Sequence, residues 1–165
     1  MNRRCIIRDA IESDLEAINR IYNHYVPISD CTMDMEPVPM EGRRNWFFEH
    51  GLELPIIVAE IDLRVVGWAS ISKHRPRPAY RYTVEDAVYV SEDEREKGLG
   101  SRLLDELIAR SRDLKYHSMI AVINANHEAS LQLHRNKGFV EVANLREVGY
   151  KLGKWVDIKY MQLML

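Results

Sequence analysis

The stretch Ala87 to Ile108, AVYVSEDEREKGLGSRLLDELI, changes its hydrophobic period halfway along. AVYV is a short apolar run rich in β-branched and aromatic residues, the signature of a buried strand, whereas Leu103, Leu104, Leu107 and Ile108 recur as one stripe of a helix. Between them lie Gly98 and Gly100. Glycine reaches backbone conformations closed to other residues and leaves no side chain between the amides and a ligand. A helix start adds unpaired N–H groups and a partial positive charge, a combination suited to phosphate. That reading requires Glu92, Asp93, Glu94 and Glu96 to point outward, with Arg95, Lys97 and Arg102 nearer the anion. A glycine-softened turn inside a solvated charge run fits the segment equally well. No GK[ST] follows the glycines and no third glycine completes a dinucleotide fingerprint, so neither of those two phosphate loops is present.

The rest of the chain limits the setting. Its 165 residues, 46% of them hydrophobic, suffice for one well-buried core and are short for two, so residues 1–165 read as a single domain. A formal net charge of −2 gives no electrostatic reason to expect nucleic acid or an acidic membrane surface as a partner. The opening MNRRCIIRDA lacks the apolar core of a signal peptide and no run has the length of a membrane span, which points to the cytoplasm. Cys5 and Cys31 lack the context of a nucleophile or a metal ligand and read as packing residues.

Periodicity orders the elements. CIIR forms a strand; Ser13 caps a helix carrying Leu15, Ile18, Ile21, Tyr22 and Tyr25; a proline-bearing loop runs from Pro27 to Met40. A second helix holds Trp46, Phe47 and Phe48, and PIIVAEI and VVGWASI pair as a hairpin. VEDAVYV, a helix from about Gly100 to Leu114, SMIAVI, a helix from about Asn126 to Lys137 and two late strands follow. The order β-α-α-β-β-β-α-β-α-β-β defines an α/β domain.

REKGLG is similar to the [RQ]-x-x-G-x-[GA] motif of the GNAT superfamily of acetyl-CoA-dependent N-acyltransferases, in the strand, loop and helix setting that motif requires. RPRPAYRYTVEDAVYV, NANHEASLQLHRNKGF and VGYKLGKWVDIKYMQL resemble the phosphinothricin and methionine sulfoximine acetyltransferase branch, so the likeness runs nearly end to end. The resemblance implies a mixed central sheet of six to seven strands flanked by about four helices, its fourth and fifth strands splayed to admit the pantetheine arm. It assigns the cofactor to the backbone of Val88, Tyr89 and Val90, to the loop Arg95, Glu96, Lys97, Gly98, Leu99, Gly100 and Ser101, and to Asn126 and Ser130. Asn126 could equally be a helix cap.

For the chemistry, the attacking amine must lose a proton and the departing thiolate can take one. Glu85 matches the glutamate of the family's TVE and is the expected base, with a strand-end carboxylate in a salt bridge as the plain alternative. His134 stands where much of the superfamily places a tyrosine thought to protonate the thiolate, and a packed helix histidine is the competing reading. A backbone N–H of AVYV is expected to meet the oxyanion of the tetrahedral intermediate.

Arg75, Arg77 and Tyr80 precede Glu85, and guanidinium groups suit a carboxylate or phosphinate acceptor. Arg81 adds a third guanidinium to the same loop. The six histidines include no recognised metal-ligand spacing, so no metal is expected. Three functions result: acetylation of the α-amine of a small glutamate- or methionine-like compound, acetylation of a protein N-terminus, lysine or other amine, and a non-catalytic acetyl-CoA-binding module. The resemblance also implies a homodimer, for which Trp155, Tyr160, Met161 and Met164 could supply apolar surface.

Overall fold

In the computed structural model, which describes residues 4–165, the apolar runs pair into one seven-stranded mixed sheet. Its strands are β1 (Cys5–Asp9), β2 (Ile56–Ile61), β3 (Arg64–Lys73), β4 (Thr83–Val90), β5 (Ser118–Asn124), β6 (Val140–Lys151) and β7 (Lys154–Met164), in spatial order β1-β2-β3-β4-β5-β7-β6. Helices α1 (Leu15–Tyr25), α2 (Met40–His50), α3 (Leu99–Asp113) and α4 (Glu128–Asn136) connect them in the chain order expected from periodicity. Every neighbouring pair is antiparallel except β4 and β5. A parallel pair needs a crossover rather than a hairpin, and α3 provides it.

Both faces of the sheet are covered. The stripe Leu103, Leu104 and Leu107, none of it exposed, packs with Leu131 of α4 onto Ile57, Ala69, Ile71, Val84 and Met119. On the other face Leu15, Ile18 and Ile21 of α1 meet Ile56, Val58 and Trp68, with Trp46 and Phe47 of α2 closing the layer. Met161 lies in the core rather than on an outer surface. Trp155 and Met164 are exposed.

Two helix starts differ from the sequence reading. Ser13 lies inside a short 3-10 turn, Glu12–Asp14, and α1 begins only at Leu15. Asp14 takes the tethering role: its carboxylate accepts the Ile11 N–H at 2.9 Å and pairs with Arg8 at 2.7 Å. At α4 the residue before the first turn is His127, not Asn126. Asn126 instead donates its backbone N–H to the Asn124 side chain at 2.8 Å.

The segment between α1 and α2 has no regular structure of its own and is fastened from outside. Asn19 and Asn23 both donate to the Val38 carbonyl at 2.9 Å, Lys151 donates to the Thr32 carbonyl at 2.6 Å, and Asn124 to the Asp30 carbonyl at 3.1 Å. These bonds satisfy backbone groups that a strand partner would otherwise satisfy.

Because Leu107 is fully enclosed between α3 and the sheet, Leu107→Ala removes apolar burial and leaves a cavity. A loss of about 2–5 kcal/mol is expected in chemical denaturation.

Candidate functional site

The site begins where the sheet stops being a sheet. β4 and β5 pair over three rungs only, Thr83 with Ser118, Val84 with Met119 and Glu85 with Ile120. Beyond Glu85 the strands part, although β4 keeps β3 and β5 keeps β7 along their outer edges. Inward N–H and C=O groups of the parted segments therefore have no strand partner, and a buried backbone group without one is costly. A cavity of about 430 Å³ occupies the fork. Asp86 to Val90 line one side and Ala121 to Asn124 the other. Tyr25 closes one corner, its hydroxyl donating to the Val90 carbonyl at 2.6 Å.

The loop into α3 forms the mouth. Arg95, Glu96, Gly98, Leu99, Gly100 and Ser101 all line the cavity. Gly98 immediately precedes the first helical residue at φ +79°, a left-handed conformation, and no atom lies within 4 Å of where a Cβ would stand. A Cβ on Gly100 would lie 3.5 Å from Leu133 and 3.9 Å from Val88, projecting into the fork. The glycines thus leave the first N–H groups of α3 approachable, which is the requirement for an anion at a helix start.

The acids do not all point outward. Glu94 is buried, its carboxylate 3.0 Å from Lys97 Nζ and 3.3 Å from Arg64, while Asp93 pairs with the same arginine at 2.9 Å. Lys97 also donates to the Asp93 carbonyl at 2.8 Å, and it does not line the cavity. Arg102 turns away and donates to the Cys5 carbonyl. Of the three expected cations only Arg95 faces the cleft, joined there by the acids Glu94 and Glu96.

Alternation along β4 separates two neighbouring carboxylates. Val84, Val88 and Val90 pack against the α3 side and Ala87 and Tyr89 against the α1 side, so Glu85 and Asp86 project from opposite faces. Glu85 is half-buried outside the cavity, its Oε1 2.7 Å from His74 Nδ1 and 3.9 Å from Arg75. Tyr80 packs edge-on against the His74 ring at 5.8 Å, and Arg77 leads into the short turn Pro78–Tyr80. Glu85, Arg75 and Tyr80 therefore gather around His74, with Arg77 flanking them. Below this face Tyr89 stacks on Trp68 at 4.9 Å, and the buried Arg43 guanidinium lies 4.7 Å from the Trp46 ring and 4.8 Å from Tyr22. Burial lowers the Arg43 pKa from its ordinary value.

On the other face Asp86 meets His134, Oδ2 to Nε2, at 2.9 Å, with both side chains at 5% exposure or less. His134 Nδ1 stands 2.7 Å from the Ser130 carbonyl. A carbonyl only accepts, so Nδ1 carries hydrogen. Burial disfavours the charged ring, but the Asp86 carboxylate more than offsets it and raises the His134 pKa above the usual value. Ser130 and His134 both line the cavity; Asn126 does not.

Sequence reasoning missed several cavity residues. Asp86 was one letter in a strand, and Tyr25, Ser29 and Cys31 arrive from a distant segment, while His74, which stands outside the cavity beside Glu85, belongs to no motif. Burial raises the Cys31 thiol pKa, which suits a packing role. His127 also lines the cavity, its Nε2 2.7 Å from Asp30 Oδ1, and Lys154 stands 2.8 Å from the other oxygen. Against the opposing effect of burial, the hydrogen bonds from Lys154 and His127 hold the Asp30 carboxyl well below its ordinary range. Among the described residues no group of three or more His, Cys, Asp or Glu could hold a metal ion, and no helix is long and apolar enough to cross a membrane.

A parted parallel strand pair beside a glycine-bearing helix start defines a protein that takes up an extended ligand with an anionic end. Residues 15–139 match the model of the acetyltransferase (GNAT) family. The chain is 41% identical over 160 residues to the L-amino acid N-acyltransferase MnaT of Escherichia coli, covering 96% of this chain and 93% of that protein. It is 41% identical over 161 residues to an L-methionine sulfoximine/L-methionine sulfone acetyltransferase of Pseudomonas paraeruginosa, covering 96% and 94%. A GNAT phosphinothricin acetyltransferase from Sinorhizobium meliloti, solved in complex with AcCoA, superposes with a TM-score of 0.95 at 36% identity, covering 98% of this chain and 88% of that one. The chain belongs to the GNAT family of acetyltransferases.

The two glycines should respond differently to the same substitution. Gly98→Val forces a branched side chain into left-handed backbone and should lower stability by about 1–2 kcal/mol in denaturant unfolding. Gly100→Val carries no such backbone cost, so its unfolding midpoint should lie closer to the parent's.

Proposed function

We propose that this enzyme transfers acetyl from acetyl-CoA to the α-amine of a small glutamate- or methionine-like amino acid of the phosphinothricin, methionine sulfoximine or methionine sulfone type. The observation that carries the reading is the fork at Glu85, which supplies unpaired strand backbone to an extended arm and a helix start to a pyrophosphate. The residues fit that ligand. Val88, Tyr89 and Val90 offer the strand edge, Glu96 to Ser101 offer amides, and Arg95 adds positive charge at the mouth. Ser130 adds a hydroxyl from α4, whereas Lys97 and Asn126 do not line the cavity. Bound acetyl-CoA supplies the activated acetyl thioester.

Glu85 acts as the base that removes the amine proton, directly or through water, and His74 orients its carboxylate. Arg75 and Arg77 bind the carboxylate or phosphinate of the acceptor beside Tyr80, on the face away from α3. Cys5 and Cys31 are free thiols, in keeping with a reducing cytoplasm. Residues 1–165 act as one domain in a homodimer, in which the outward side of the β6–β7 hairpin becomes buried. Val140, Val142, Val148, Tyr150 and Trp155 are each more than half exposed along it.

An acceptor panel with coenzyme A release as readout tests the substrate class. Methionine sulfone, methionine sulfoximine and phosphinothricin should be turned over, and exclusive use of peptide amines would overturn the assignment. Glu85→Gln should lower turnover by about 10²–10⁴-fold while acetyl-CoA binding survives. Truncating Arg75 or Arg77 should instead raise the acceptor concentration needed, with a smaller effect on maximal rate. Acetyl-CoA should stabilise the parent against heat, and both Gly98→Val and Gly100→Val should abolish that shift. Light scattering at micromolar concentration should return twice the chain mass.

A further inference from the structure

Asp86 is the first residue of β4 beyond the last rung shared with β5, so it marks the base of the fork. Its side chain is 2% exposed, and its two oxygens are in different circumstances. Oδ2 faces His134 Nε2, whereas Oδ1 is buried with no hydrogen-bond partner among the described residues. A pair serving only to stabilise the core would be expected to satisfy both oxygens, because a buried carboxylate oxygen without a donor is expensive. Both members line the cleft proposed to receive acetyl-CoA.

The hydrogen-bond directions count the hydrogens on the pair. Nδ1 must donate to the Ser130 carbonyl, which leaves one proton between Nε2 and Oδ2. Asp86 on β4 is the charged side chain that acts on the ring; within α4 the ring meets the Ser130 carbonyl, and the Phe139 ring lies edge-on at 5.0 Å. Glu94, Arg95, Glu96 and His127 line the same cavity. We propose that Asp86 is the positioning residue for His134, holding the imidazole as a doubly N–H donor so that the pair returns a proton to the coenzyme A sulfur as the thioester breaks.

The step balances and rests on the acetyl transfer proposed above. The amine nitrogen forms the C–N bond, the C–S bond breaks, and sulfur leaves with the electron pair. Sulfur takes the proton held between Nε2 and Oδ2, the surplus amine proton goes to Glu85, and solvent carries it from Glu85 to recharge the pair. The two acidic residues of β4 thereby serve opposite ends of one reaction from opposite faces of the strand.

The sign of the pH dependence follows. An imidazole stabilised in its charged form by Asp86 keeps its proton at low pH and loses it only as pH rises through the raised folded value. Without the carboxylate, burial alone favours the neutral ring and the loss moves to lower pH. Ring-nitrogen NMR of the full chain, with the His134 signals identified by their absence in His134→Gln, reads this without turnover. In the parent both ring nitrogens should remain protonated above the ordinary histidine value of about 6.5. In Asp86→Asn, nearly the same in shape, that titration should fall to or below it.

Kinetics on the same proteins should give a kcat about 10²-fold lower for Asp86→Asn, a KM for acetyl-CoA within about threefold of the parent, and an alkaline limb of kcat displaced to lower pH. A neutral His134 in the parent at pH 7, or a titration or alkaline limb unmoved by Asp86→Asn, overturns the proposal. A charged pair with an unchanged kcat in the variant overturns it as well, by making the pair structural. Failure of the acceptor panel leaves the NMR result readable, so the two readings fail separately.

Discussion

Three rungs of parallel pairing between β4 and β5 are the constraint on which the rest depends. A longer ladder would satisfy the backbone and close the sheet; a missing one would divide it into two. With three, the sheet stays continuous at one end and opens at the other, and the outer partners β3 and β7 hold each arm. The exposed backbone groups that result are a liability for an isolated fold and a binding edge for an extended ligand. The core explains why the arms persist, because α3 packs its leucine stripe across β2, β3 and β4.

The loop that feeds α3 is held by charge pairing rather than by apolar contact. Glu94 is drawn inward between Arg64 and Lys97, and that pairing keeps Lys97 away from the cleft. In the proposed reading, anion recognition therefore passes to backbone amides and Arg95. Amides fixed at a helix start need no rearrangement when a phosphate arrives, whereas lysines would first have to be ordered.

The separation of Glu85 from Asp86 follows from strand geometry. Successive side chains point to opposite faces, so adjacent carboxylates occupy different surroundings. Glu85 is half-buried against His74 and Arg75, near the arginine loop; Asp86 is enclosed with His134. The same letters, ED, thus yield one group beside the arginine loop and one lining the cavity on a single strand.

The order of elements, the helical stripe of α3 and the glycine start were legible in the sequence, since periods of 2 and 3.6 and the punctuation of glycine and proline are local properties. The Ser13 and Asn126 caps were misplaced because Ser13 falls inside a 3-10 turn and His127 takes the place before α4, choices between similar local conformations that packing decides. The outward acids and the inward Lys97 and Arg102 were equally beyond local reasoning, since a charge run carries no record of which partner lies across space. Arg64 lies 30 residues from Glu94, His134 lies 48 from Asp86, and Asp30 lies 97 from His127. What the sequence determined by itself was the set of strands and helices and the glycine break between two of them. The length of the β4–β5 ladder, the burial of Asp86 against His134 and the grouping of Glu85 with His74 were decided only by tertiary structure, because each depends on which distant side chains share one dry space.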